Sequence, residues 1–77
     1  HTIFDAEALA ILDKATALKL QMLPISKNET EVFVAMDDPY NVVALDTLRK
    51  YVPKGIQIRP QICTSKILLD AIDAAYG

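Results

Sequence analysis

Side chains that can do chemistry are few in this 77-residue sequence, and most of them stand alone. The adjacent pair Asp37-Asp38 is the one tempting acidic site, since two carboxylates can bind a divalent cation or position a general base. A calcium or magnesium site needs further oxygen ligands at defined spacing, and none follows this pair. The sequence therefore favours the other interpretation, a turn after a strand in which the aspartates accept backbone hydrogen bonds.

The other reactive residue types lack partners. Cys63 is the only cysteine, which excludes an internal disulfide and a metal knuckle and suits a small, buried or half-buried apolar role. His1 is terminal and has no partner motif beside it. Gly55 and Gly77 are the only glycines, and neither belongs to a phosphate-binding loop. We predict no catalytic, cofactor-binding or metal-binding residue in this chain, and no cofactor.

Composition narrows the class of partner. The net charge is −2, and the basic residues are scattered with no run longer than Arg49-Lys50, which argues against a nucleic-acid interface. No apolar segment approaches the roughly 20 residues that span a bilayer, so we expect no direct membrane insertion. The apolar fraction of 52% is high for so short a chain, which leaves apolar surface for a protein partner. The chain starts at His1 rather than Met, so we expect residues 1–77 to be a single domain excerpted from a longer protein.

The chain is organised around the stretch 31–36, which we predict to be a central strand. Residues 32–36 are uninterrupted apolar residues, and the run stops at Asp37-Asp38-Pro39, as expected of a strand buried on both faces. Stretches 20–26 and 56–62 also read as strands, but each contains a proline, Pro24 or Pro60. Proline has no N–H to donate to a sheet, so these two strands should lie at the edges.

Helical patterns complete the fold. The first helix should start after Asp5 and reach Leu18, with Asp13 able to cap a second short helix and so kink it. Asn41 should cap a helix over 42–52, and Thr64 or Ser65 should cap the last one. The order is α-β-β-α-β-α. The fold class is α/β (α+β-like): a small two-layer domain whose three-stranded mixed sheet carries the helices.

Two sets of apolar residues are candidates for partner binding. The apolar stripe of the first helix is wide enough for both the sheet and an outside surface, and Leu9, Leu12 and Leu18 are the contact candidates. The three tyrosines form the second set, because tyrosine combines contact area with a polar tip. Tyr51 and Tyr76 lie near helix C-termini, where they also suit closing a small core.

Several motifs coincide along nearly the whole chain. They are the strand LPI at 23–25, the segment VAMDDP at 34–39, a helix with Leu45 and Leu48, an alternating third strand, and the closing Ala71-Ile72 and Tyr76-Gly77. This pattern resembles the N-terminal domain of type II secretion and type IV pilus assembly ATPases, the general secretion pathway protein E family. The signature positions are Pro24, Asp38, Pro39, Asn41 and Gly55.

The resemblance implies a non-catalytic domain ahead of a hexameric ATP-binding motor in the bacterial cytoplasm. Such a domain docks the motor onto the cytoplasmic part of an inner-membrane partner, and so lies at the membrane only through that partner. The motor's Walker motif is absent from this sequence. A related branch of the family binds cyclic di-GMP through RLG-x-x-L motifs, and this chain has no RLG. Two alternatives to docking stay open. The domain could be a sensor of cyclic di-GMP or another nucleotide, or it could be the same domain attached to a glycosyltransferase.

Overall fold

The computed structural model describes residues 4–77, so the predicted inertness of His1 lies outside the described residues. The elements are α1 (Ala6–Leu9), α2 (Lys14–Leu20), β1 (Met22–Lys27), β2 (Glu31–Met36), α3 (Val42–Arg49), β3 (Gln57–Ile62) and α4 (Ser65–Tyr76). The predicted order is confirmed, with the first helical region divided into α1 and α2. The fold is a small α+β domain with a three-stranded mixed sheet.

The sheet has the order β1-β2-β3, with β2 in the middle as predicted. Strands β1 and β2 form an antiparallel hairpin, and β3 is parallel to β2 after the crossover through α3. The hairpin turn is closed by Asn28, whose Oδ1 accepts the N–H groups of Thr30 and Glu31 at 2.8 Å each. Both proline-bearing strands lie at edges, and β1 has a bulge between Pro24 and Ser26.

The first helical region is broken because an aspartate caps each part. The Asp5 carboxylate accepts the N–H of Glu7 at 2.9 Å and that of Lys27 at 3.1 Å, so it also ties α1 to strand β1. Asp13 Oδ1 accepts the N–H of Thr16 at 2.7 Å and starts α2, as the sequence allowed. Residues on either side of Asp13 therefore do not share one helical stripe.

Because of these two caps, the stability of the domain should change with pH in the acid range. The hydrogen bond from the Lys27 N–H, and then that from Glu7, holds the pKa of Asp5 below its ordinary value. Hydrogen bonds from the Thr16 side chain and then its N–H lower the pKa of Asp13 in the same way. A carboxyl group whose pKa falls on folding stabilises the fold fully above its unfolded pKa of about 4, and loses that contribution as the pH falls through the folded value.

We therefore expect the free energy of unfolding to fall as the pH is lowered below about 4. Asn at either position keeps a capping oxygen but does not titrate, so Asp5→Asn and Asp13→Asn should each flatten this fall. Urea unfolding at a series of pH values between neutral and pH 2 measures it. An unchanged slope in both variants would contradict the assignment.

The later helices begin at the predicted caps. Asn41 Oδ1 accepts the N–H of Ala44 at 3.1 Å, and the Thr64 hydroxyl oxygen accepts the N–H of Ile67 at 3.2 Å. Helix α3 ends at Arg49, before the predicted residue 52, and the following turns lead to Gly55. Gly55 has a φ of +90°, a backbone conformation that a side chain disfavours.

The core lies between the sheet and the helices. Its large, fully buried apolar side chains come from both strands of the hairpin and from α3 and α4: Met22, Leu23, Val32, Val34, Met36, Leu48, Leu68 and Ile72. Strand β3 is less buried than its alternation of apolar and polar residues indicates, since only Ile58 is partly buried and Ile62 is 55% exposed. The reason is that α4 packs mainly on β1 and β2, so β3 is less covered than the other two strands.

Candidate docking surfaces

The acidic pair serves the fold. Asp38 Oδ1 accepts the N–H of Tyr40 at 2.9 Å, which is the backbone hydrogen bond expected of a turn there. Asp37 Oδ2 accepts the Ser65 hydroxyl at 2.8 Å and so ties the end of β2 to the start of α4. Across residues 4–77, no three His, Cys, Asp or Glu side chains come together as a metal site. The two carboxylates thus point to different partners rather than to one shared ion.

The surroundings of Cys63 do not activate its thiol. The residue is half-buried and packs against the core at the end of β3, as predicted. Burial, and secondarily the negative charge of Asp37, raises the pKa of the Cys63 thiol. Because the thiolate is the nucleophile, a raised pKa makes this cysteine less nucleophilic than a free thiol.

The three tyrosines have different environments. The Tyr76 hydroxyl donates to the Leu9 carbonyl at 3.1 Å, which joins the last helix to the first. Burial, followed by the charge of Asp13, raises the pKa of Tyr76. Tyr51 is 50% exposed and Tyr40 is 86% exposed. Tyr76 therefore closes the core, while the other two remain available to a partner.

The structure separates the three leucines chosen as contact candidates. Leu12 is 3% exposed and belongs to the core, so its side chain offers no surface to a partner. Leu9 is partly buried against the same core. Leu18 is 39% exposed on α2. Because Asp13 interrupts the helix, these residues do not form one continuous face, and Leu18 is the member that stays accessible.

The signature positions of the resemblance have backbone roles. Pro24 is fully buried in β1, and Pro39 lies in the turn between β2 and α3. Asp38, Asn41 and Gly55 fix that turn, the start of α3 and the turn before β3, as described above. These residues position elements and do not converge on one site.

A groove of about 710 Å³, the sheet–α4 groove, lies between one face of the sheet and α4. Its floor is one face of the sheet and one wall is α4; its lining residues are Phe4, Leu23, Ile25, Ala35, Gln61, Ile62, Cys63, Ile67, Asp70, Ala71 and Ala74. Two of these lining residues, Ile62 and Ile67, are 55% and 59% exposed. The groove has the apolar lining of a binding cleft.

The polar content of the sheet–α4 groove is small. Gln61 and Asp70 supply its polar side chains, and no lining residue is Lys or Arg. Lys66, which neighbours the groove in sequence, donates a hydrogen bond from its Nζ to Asp70 Oδ2 at 2.8 Å, and this bond raises the pKa of Lys66. The groove therefore suits an apolar partner better than a phosphate, which needs cations or converging donors.

A second, smaller groove of about 330 Å³ lies between α2 and α3. Val43, Thr47 and Tyr51 form one ridge of it, facing Thr16 and Lys19. Val43 is 73% exposed. Thr16 and Lys19 lie on either side of Leu18 in the sequence of α2, but Leu18 itself does not line this groove.

Sequence reasoning missed the sheet–α4 groove. The helical spacing of Ile67 in α4 and the alternation around Ile62 in β3 are typical of core residues, yet both side chains are more than half exposed. The one signal for them was the surplus of apolar residues in a short chain. That signal shows that apolar surface remains, but not where it lies.

Comparison with known proteins now decides the family. The profile of the MshEN domain matches residues 4–77, which is nearly the whole chain and includes every strand and helix described above. The chain belongs to the MshEN domain family. The predicted resemblance to the N-terminal domain of type II secretion and type IV pilus assembly ATPases is thereby confirmed.

The solved structure of MshE with cdg is similar to this MshEN domain, with a TM-score of 0.83 and 27% sequence identity. The similarity covers 95% of this chain and 52% of the MshE chain, so the present chain spans about half the length of that relative. No curated protein matches the chain significantly. Among the described residues of this MshEN domain, none of the helices has the length and apolar character to cross a membrane.

Proposed function

We propose that this MshEN domain is a non-catalytic docking domain of a bacterial type II secretion or type IV pilus assembly ATPase. Its partner in this proposal is the cytoplasmic domain of an inner-membrane component, and the ATPase it serves is hexameric and cytoplasmic. The sheet–α4 groove is the observation that carries the proposal. It presents an apolar floor with two exposed isoleucines.

The groove fits the usual anatomy of a protein interface. An apolar centre excludes water, and a polar rim remains solvated, which is the arrangement of specific but dissociable complexes. Ile62 and Ile67 would supply the apolar centre, and the Lys66–Asp70 pair would lie in the rim. Exposed ion pairs of this kind contribute little affinity, so the isoleucines should dominate binding.

The test is a titration of the domain with the cytoplasmic domain of the cognate inner-membrane component. Ile67→Arg places a charge in the apolar centre and should weaken binding at least about tenfold. Leu69→Arg is the matched control, since Leu69 is 41% exposed on the same helix and does not line the groove. It should change the affinity less than about threefold.

Leu18→Arg, measured in the same titration, separates the two candidate surfaces. Binding lost with Leu18→Arg and kept with Ile67→Arg would move the docking site to α2. Binding unaffected by either variant, or no binding by the folded wild-type domain at tens of micromolar, would overturn docking through these surfaces.

Nucleotide sensing is the second candidate function, and one observation favours it. The similar MshE was solved with cdg, the abbreviation of cyclic di-GMP. Two features of this chain count against binding by the domain alone. The RLG-x-x-L motif is absent, and the sheet–α4 groove has no cation in its lining to meet a phosphate.

Calorimetry with cyclic di-GMP distinguishes the two functions. We expect no heat of binding to this 77-residue chain at micromolar concentrations of the dinucleotide. A saturable heat would assign the domain to nucleotide sensing, and a combined titration would then show whether the dinucleotide changes the affinity for the protein partner.

A further inference from the structure

The hydrogen-bond phase of β3 determines which of its residues face the free edge of the sheet. The N–H of Gln57 donates to the Thr30 carbonyl at 2.9 Å, and that of Cys63 donates to the Met36 carbonyl at 3.0 Å. In a strand the N–H and C=O groups of alternate residues point to opposite sides. Positions 57, 59, 61 and 63 therefore face β2, and positions 58, 60 and 62 face outward.

Proline occupies the middle outward position. Pro60 has no N–H, and its ring stands where an added strand would approach. The residues on either side of it in the outward set, Ile58 and Ile62, keep their N–H groups and carry β-branched apolar side chains. Without the proline, this edge would combine unpaired backbone groups with exposed isoleucine, the combination that favours strand addition.

The opposite edge of the sheet is closed differently. On β1 the N–H of Asp5 donates to the Ile25 carbonyl at 3.4 Å, and the Asp5 carboxylate accepts the N–H of Lys27 at 3.1 Å. Pro24, which is paired with Val34, is buried in that strand. Within residues 4–77, the outward groups of β3 have no corresponding backbone partner. The β3 edge is thus the place where a second strand could be added.

We infer that Pro60 keeps the domain monomeric by preventing β3 from pairing with β3 of a second copy of this chain. The pairing it prevents is antiparallel, with a two-fold axis at residue 60. Position 60 would face its own counterpart, and Ile58 would face Ile62 of the other copy. Those two cross-strand isoleucine pairs and their backbone hydrogen bonds would join two sheets into one of six strands.

The experiment compares two replacements of Pro60, one that has a backbone N–H and one that lacks it. Pro60→Val introduces a strand-forming residue that can donate outward. The matched control is the same 77-residue chain made by chemical synthesis with N-methylvaline at position 60, which keeps the valine side chain but has a methyl group in place of the amide hydrogen. Light scattering after size exclusion, over a range of concentrations, gives the molar mass relative to the 8.5 kDa of one chain.

We expect the wild type and the N-methylvaline chain to remain monomers and Pro60→Val to dimerise, with self-association strengthened at least about tenfold. Circular dichroism confirms that all three are folded. A monomeric Pro60→Val that is folded, or a wild type that dimerises as strongly, would overturn the inference. Equal dimerisation of the valine and N-methylvaline chains would overturn it too, because the side chain alone would then be responsible. None of these outcomes depends on docking at the sheet–α4 groove.

Discussion

Val34→Asp is expected to unfold the domain at neutral pH. Val34 is fully buried in the middle of β2 and is paired with Pro24 on one side and Pro60 on the other. A carboxylate there has no cation to pair with and loses its hydration, which costs several kcal/mol. A domain of this length has a total stability of only about 4–12 kcal/mol. Far-UV circular dichroism and a thermal melt at pH 7 measure the loss.

Val43→Asp is the matched control for this prediction. Val43 is 73% exposed in the first turn of α3, where an acidic side chain interacts favourably with the helix dipole. The same chemical change should therefore leave the melting temperature within a few degrees of the wild type. A Val34→Asp variant that melts like the Val43→Asp variant would show that β2 is not the buried centre of the sheet.

The sequence was sufficient for the elements and their order because each boundary has a local cause. Asp13 caps a helix, Asn41 caps another, and Pro24 and Pro60 exclude their strands from the centre of the sheet. These effects act within a few residues of the position concerned. They can be predicted without knowing how the helices pack, and they proved correct.

Exposure was predicted less well, because it depends on which helix covers which strand. Alternation along β3 is the same whether or not a helix lies over it, and α4 packs on the other two strands. Ile62 is therefore exposed although its spacing is that of a core residue. Ile67, on α4 itself, is exposed as well, because helical spacing does not show how far round the helix the packing reaches. Leu12 shows the opposite difference. It was expected to contact a partner, but it lies between α1 and α2 and its side chain is buried in the core.

The same reasoning explains why the candidate site could not be located from sequence. The sheet–α4 groove is formed by segments far apart in the chain, since its lining runs from Phe4 to Ala74. No motif marks it, because its features are shape and apolar surface rather than a set of reactive groups at fixed spacing. The motifs that identify the family lie in turns and caps, which is why the resemblance was correct while the contact residues stayed a prediction.

Ile72→Ala should produce the second large effect, through the helix that forms the groove wall. Ile72 is fully buried in α4, and truncating such a side chain costs about 2–5 kcal/mol from lost burial and a residual cavity. Leu69→Ala, three residues earlier and 41% exposed, should cost less than about 1 kcal/mol. Urea unfolding at neutral pH compares the two variants with the wild type. Equal losses would mean that α4 is not anchored through Ile72.

Ile72→Ala and Ile67→Arg should also weaken partner binding for different reasons, and this difference tests whether the groove itself is the docking site. Ile72 does not line the groove, so Ile72→Ala should lower the apparent affinity only by the fraction of domain that remains folded. Ile67 is 59% exposed, so Ile67→Arg should leave the unfolding midpoint nearly unchanged while the affinity falls. Cooling or adding an osmolyte to refold Ile72→Ala should restore its binding. The same treatment should not restore that of Ile67→Arg, because its defect lies in the contact surface and not in the folded population.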